Sequence, residues 1–316
     1  MVFYDFVIFI LSLLAIVIGA EFLVSSASKI AKHLNTNDFI IGLTLVAIGT
    51  SLPELSIAVS ASLKGEGIIT IGNLMGASIA NLGLTLGIIS VIYTIGLKSN
   101  LLKRDTIILL IATLLFFFSS LDKVITKTEG IVLLIFFAYY LIDLARSNKL
   151  QEKFIFHIHK PEEEINLPKQ FLFVLIGLGL LYIGARYLIP STVNIANFIG
   201  IPEEIIALTV ISIGTTLPEL TVTIVAAKKG LTNLLLGNLV GSNITNLALI
   251  IGIASIINPV NISNLLLYYI MPYLLIITLI FFIFSKSDRI SRIFQGLILL
   301  MLYMAYIVTL IITRFN

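Results

Sequence analysis

The stretch Gly49-Thr50-Ser51-Leu52-Pro53-Glu54 recurs 165 residues later as Gly214-Thr215-Thr216-Leu217-Pro218-Glu219. Both copies interrupt apolar sequence of membrane-crossing length. A carboxylate in hydrocarbon is costly and marks a functional site by default. Two of them at matching places in a duplicated unit point to one shared site for a cation.

Composition supports the membrane reading. Hydrophobic residues make up 58% of the 316, charged residues 12%, and the mean hydropathy is +1.09. Such a chain cannot clothe a soluble core, and nothing in it suggests nucleic-acid binding or an enzyme active site. With no Cys, disulfides and thiolate metal chemistry are excluded. The first apolar stretch is too long for a cleavable signal, so none is expected.

Breaks at polar and turn residues predict ten spans, each long enough to cross ~30 Å of hydrocarbon as a helix: 2–33, 38–63, 67–95, 102–120, 129–146, 169–199, 203–227, 231–257, 264–285 and 291–313. The polar segment 147–168 separates spans five and six. It carries His157 and His159, read as part of a solvated linker rather than as metal ligands. If the N-terminus is external, 15 of the 20 Lys and Arg fall at internal loops and span ends: Lys29, Lys32, Lys98, Lys103, Arg104, Arg146, Lys149, Lys153, Lys160, Lys169, Lys228, Lys229, Lys286, Arg289 and Arg292. Lys64, Lys123, Lys127 and Arg314 fall outside, and Arg186 lies within span six. Basic residues favour the cytoplasmic side, so both termini are expected to be external in a cell membrane.

The repeat extends well past the motif. Ile41–Gly87 and Ile206–Gly252 align without a gap, with 22 identities in 47 positions. Five spans per half is an odd number, so the halves cross in opposite senses, an arrangement typical of transporters. The expected fold is an all-α polytopic membrane protein of ten transmembrane helices in two inverted repeats. The first repeat occupies 1–146, a cytoplasmic linker 147–168 and the second repeat 169–316.

The chemistry follows from the motif. Pro53 has no N–H and its ring clashes with the preceding turn, so the helix should open there and free carbonyls near Ala47 and Thr50. Thr50 and Glu54 share a helical face, as do Thr215 and Glu219. In the next span of each half, Asn73, Ala77 and Asn81 form a row at every fourth residue, matched by Asn238, Ser242 and Asn246. Gly72/Gly76 and Gly237/Gly241 permit close helix packing. Carboxylate, hydroxyl, amide and carbonyl oxygens suit hard cations such as Ca2+ and Na+, and two carboxylates balance one Ca2+ or two Na+.

These motifs resemble the calcium/cation antiporter superfamily and, within it, the prokaryotic type of sodium/calcium exchanger. The carriers are Gly49 to Glu54 with Gly72-Asn73 through Asn81, and Gly214 to Glu219 with Gly237-Asn238 through Asn246. The resemblance implies an antiporter that exchanges Na+ for Ca2+ by alternating access, with no cofactor. It implies that Glu54 and Glu219 bind the two ions competitively, that Thr50, Ser51, Thr215, Thr216 and Ser242 line the site, and that the long spans one and six slide. The predicted ligand set is thus Glu54, Glu219, Thr50, Thr215, Ser51, Thr216, Asn81, Asn246, Ser242 and Ala47.

Two departures from the family pattern stand out. Ala77 occupies the place of a Ser that helps form a sodium site, and Ser78 is about 100° round the helix. Asn246 stands where potassium-dependent members carry Asp, which argues against potassium dependence. Proton-coupled relatives have an acid shortly after the Gly-Asn pair, whereas this chain has Leu74-Met75-Gly76 and Leu239-Val240-Gly241. Ca2+/H+ exchange remains the alternative, because a desolvated carboxyl beside a like charge favours its neutral form. An uncoupled cation channel is the third reading. Glu21 and Arg186, at equivalent positions inside spans one and six, either meet water in an access path or make a local contact.

Overall fold

The computed structural model describes residues 2–34, 36–93, 100–155, 165–198, 212–286 and 292–315. His157, His159 and the start of the predicted span 203–227 lie outside them. The described residues are helical almost throughout, and among them one two-stranded antiparallel ribbon forms, β1 (Val124–Ile125) on β2 (Val260–Asn261), in which Val124 faces Asn261.

The helices are α1 (Val2–His33), α2 (Asp38–Thr50), α3 (Leu52–Leu63), α4 (Gly67–Tyr93), α5 (Asn100–Phe118), α6 (Lys127–Ile155), α7 (Leu167–Phe198), α8 (Ser212–Lys228), α9 (Thr232–Ile257), α10 (Leu266–Lys286) and α11 (Arg292–Phe315). Seven are long and apolar enough to cross a membrane, and α2 with α3 counts as an eighth if taken as one bent span. One predicted span falls short of that standard, and another is described only in part. In α5, Lys103, Arg104 and Asp105 cluster in the first turns, and α8 is described over only 17 residues.

The chain divides into two compact units, each drawing on both halves of the sequence. The first comprises Met1–Pro53 and Asn148–Asn238, the second Glu54–Ser147 and Leu239–Asn316.

In the first unit α1 and α7 run antiparallel and pack closely. Successive contacts descend one helix as they climb the other: Asn194 Nδ2 donates to Asp5 Oδ1 at 2.8 Å, Gly184 meets Ser12, Gly19 meets Gly177, and Phe22 stacks on Phe173. A Cβ added at Gly19 would stand 2.8 Å from the Gly177 carbonyl, and one at Gly177 2.8 Å from that of Gly19. The backbones therefore touch where side chains would hold them apart. α2 meets residues 232–238 in the same way, since a Cβ at Gly42 would lie 2.3 Å from Leu234 O and one at Gly237 2.2 Å from Phe39 O.

The second unit repeats this device. Gly87 of α4 abuts Gly296 of α11, and Gly252 of α9 abuts Gly130 of α6. Tyr273 of α10 shares a 2.6 Å hydrogen bond with Thr309 of α11. Arg104 holds the buried Asp105 at 2.8 Å and reaches Asp143 at 3.8 Å.

The glycine contacts carry the repeat into three dimensions. Shifted by 165, the pair Gly19–Gly177 becomes Gly184–Ser12, which is observed. The pair Gly87–Gly296 becomes Gly252 with position 131, one residue from the observed Gly130. Gly65 and Gly230, also 165 apart, both adopt positive φ, +78° and +69°. Each closes a helix C-terminus with matching bonds, Glu66 N to Ala61 O at 2.8 Å and Leu231 N to Ala226 O at 2.9 Å. A left-handed residue there satisfies the last carbonyls, and glycine adopts it without steric cost.

Candidate cation site

The two motif copies fold differently. In the first, helical geometry fails at Ser51 (φ −82°, ψ 8°) and the chain turns by 45° between α2 and α3. The break falls two residues before the expected Pro53, which instead sits in the first turn of α3, where a missing N–H costs nothing. In the second copy, α8 runs through Pro218 without interruption. An identical Pro-Glu step is therefore tolerated inside a helix here, because proline removes one bond and the rest of the ladder holds.

Every predicted ligand is buried: Ala47, Thr50, Ser51, Glu54, Asn81, Thr215, Thr216, Glu219, Ser242 and Asn246. This decides between lipid-facing and inward-facing rows. Of the most apolar window of α4 and of α9, 78% is buried, against 33% for α1 and α7. The asparagine rows thus sit on interior helices, where a polar residue is kept only for a purpose.

The first unit contains Ala47, Thr50, Ser51, Thr215, Thr216 and Glu219. The Thr50 and Ser51 hydroxyls lie beside the Glu219 carboxyl group. Both Glu219 oxygens are shut from solvent, and neither accepts a hydrogen bond of ordinary geometry. No basic side chain forms an ion pair with Glu219 among the described residues. The Thr50 hydroxyl bridges Ala47 O and Asn238 Oδ1, each at 3.3 Å. Asn238, placed in the second row of the sequence but not among its ligands, thereby joins the site.

The second unit holds Glu54, Asn81, Ser242 and Asn246. Asn81 opens a π-helical turn, Asn81–Thr85, and Asn246 lies in the equivalent turn, Thr245–Ile250. Such turns widen a helix by one residue and often mark functional positions; no residue pattern in the sequence signalled them. The amide oxygen and nitrogen of both asparagines are buried without a hydrogen-bond partner. An orphaned buried acceptor costs about 1–3 kcal/mol, a cost a bound cation would offset at each Oδ1. Ser78 is also wholly buried and its hydroxyl is unpartnered.

Glu21 is not an isolated charge. Lys229 Nζ stands 2.6 Å from Glu21 Oε2, with the two side chains 33% and 47% exposed. Of the two readings open for Glu21, this is the local contact. Arg186 is exposed on α7.

Known proteins resemble this chain in sequence and in fold. The family model described as "Sodium/calcium exchanger protein" matches residues 4–144 and 169–312. The chain is 32% identical to the sodium/calcium exchanger MaX1 of Methanosarcina acetivorans, over 97% of this chain and 98% of that one. It is also 32% identical to the uncharacterized membrane protein MJ0091 of Methanocaldococcus jannaschii, over 96% of each. Among solved structures it resembles the sodium-calcium exchanger NCX_Mj soaked with Na+ and Ca2+, with a TM-score of 0.85 and 30% identity, over 98% of this chain and 99% of that one. A further structure of NCX_Mj, soaked with Na+ and Sr2+, gives 0.84.

Proposed function

The chain belongs to the sodium/calcium exchanger family, and on that premise we propose that it is a secondary antiporter exchanging Na+ for Ca2+ by alternating access. One observation carries the chemistry. Each motif copy ends in a fully buried glutamate, and Glu219 has hydroxyl neighbours rather than a basic partner. A carboxylate buried without a countercharge is strongly disfavoured, and a cation bound there supplies the missing charge.

In this reading Glu54 and Glu219 are the charged ligands. Thr50, Ser51, Thr215, Thr216, Ser242, Asn81 and Asn246 add neutral oxygens, and Ala47 contributes its carbonyl. Ca2+ and Na+ then compete for one set of oxygens, so loading one expels the other, which is what coupling requires. Ten transmembrane helices form two inverted repeats, 1–146 and 169–316, joined by a cytoplasmic linker at 147–168. The matched glycine contacts and the matched turns at Gly65 and Gly230 support this. The distribution of Lys and Arg supports external termini in a cell membrane.

The test is radioactive Ca2+ uptake into vesicles containing the purified protein. An outward sodium gradient should drive uptake at constant pH. Uptake driven by a pH gradient alone would instead establish Ca2+/H+ exchange, and uptake needing neither gradient would establish a pore.

A further inference from the structure

The Thr50 hydroxyl has one proton to place and three acceptors around it. A hydroxyl offers a single donor and two lone pairs. Ala47 O and Asn238 Oδ1 each lie 3.3 Å from Thr50 Oγ1, and the Glu219 carboxyl lies beside the same hydroxyl. A proton aimed at Glu219 occupies a carboxylate lone pair and turns the positive end of the O–H dipole toward any cation held there. A proton aimed at Ala47 O occupies a carbonyl that the proposed site uses as a ligand. Asn238 alone can take it without withdrawing an oxygen from the proposed ligand set.

Asn238 is wholly buried, and the backbone fixes its position. The tight crossing at Gly42 and Gly237 brings Asn238 N to 3.0 Å from where a Gly42 Cβ would stand, so residues 237–238 lie directly against α2. The Asn238 Nδ2 is buried with no hydrogen-bond partner. Retaining an amide that leaves its own donor orphaned costs about 1–3 kcal/mol, and what the amide gains in return is the bond Thr50 donates to its Oδ1.

We infer, resting on the reading of this site as a cation site, that Asn238 is a positioning residue for Thr50. Its Oδ1 draws the Thr50 proton away from Glu219, so that the Thr50 lone pairs and both Glu219 oxygens face the ion. When the site empties, the same proton can swing to Glu219 and partly offset its charge. Asn238 thus acts on the ion through Thr50 and does not touch it.

Equilibrium binding of radioactive Ca2+ to the detergent-purified protein tests this without relying on transport. Asn238→Leu matches the side chain in shape and removes the acceptor. It should raise the Ca2+ dissociation constant about five-fold or more, the share of one net hydrogen bond. Thr50→Val should weaken binding too, and Asn238→Leu added to Thr50→Val should weaken it no further. A purely structural effect of Asn238 would add to that of Thr50→Val in full, and such additivity would overturn the inference. Wild-type affinity in Asn238→Leu would overturn it as well. Asn238→Ser, read in the same way, covers the case in which the leucine variant does not fold. If Thr50→Val itself leaves Ca2+ binding unchanged, the cation-site reading fails instead, a separate outcome.

Discussion

Replacing Glu219 with Gln exchanges a charged ligand for a neutral one of nearly the same shape, so the effect on Ca2+ isolates charge from packing. Glu219 is 1% exposed, and its neighbours are the Thr50 and Ser51 hydroxyls. Removing one member of a buried, compensated set of charges costs about 3–5 kcal/mol. At ~1.4 kcal/mol per decade, the Ca2+ dissociation constant should rise by about two to three and a half orders of magnitude. The glutamine keeps one carbonyl oxygen as a ligand, which places the expectation near the lower figure. Glu54→Gln should behave alike, since the proposed site divides the neutralising charge between the two. The assay is radioactive Ca2+ binding to purified protein, paired with sodium-driven uptake in vesicles and a check that each variant elutes as the wild type does. Binding within ten-fold of wild type in either variant, or robust exchange by it, would refute the two-carboxylate site.

Three further outcomes are expected. Ala77→Ser restores a hydroxyl at the position matching Ser242, and should strengthen sodium competition against bound Ca2+; an unchanged competition curve would show that Ser78 or water already fills that place. Transport at three Na+ per Ca2+ moves one net charge, worth ~2.3 kcal/mol per 100 mV. Uptake in liposomes clamped with potassium and valinomycin should then vary with potential, while indifference to it would establish two for one. Gly237→Ala sets a Cβ 2.2 Å from the Phe39 carbonyl oxygen, whereas Gly179 has nothing within 4 Å. The first should cost about 1–3 kcal/mol through overpacking and lower the thermal transition, and Gly179→Ala should not; equal transitions would disprove the close α2 crossing.

The sequence makes the helices and the acids legible because both are strong local signals. Long apolar runs read as helices wherever they occur, and a glutamate within one is conspicuous, so Glu54 and Glu219 needed no neighbours to be found. The bend at Ser51 rather than Pro53 was not legible. Both copies carry the same Leu-Pro-Glu, yet one helix breaks and the other continues, so the outcome depends on what packs around each copy. The π turns at Asn81 and Asn246 arise from how whole helices fit together, and no residue type encodes them. Asn238 appeared in the sequence as one member of a row. Its bond to Thr50, 188 residues away in the chain, exists only because Gly42 and Gly237 let two backbones touch.

The ion pair between Glu21 and Lys229 joins two residues whose counterparts in the other half of the sequence differ in charge. Moved by the same 165 residues, Glu21 becomes Arg186, and Lys229 is itself the image of Lys64. The couple therefore has no counterpart in the sequence, since the two matching positions both carry a cation. On the proposed alternating-access reading, a step that moves α1 past α8 parts Glu21 from Lys229. A half-exposed pair contributes about 0.2–1 kcal/mol, a bias of up to about five-fold between the two access states. A molecule built from two nearly interchangeable halves would, on this account, rest with one of its doors more often closed than the other.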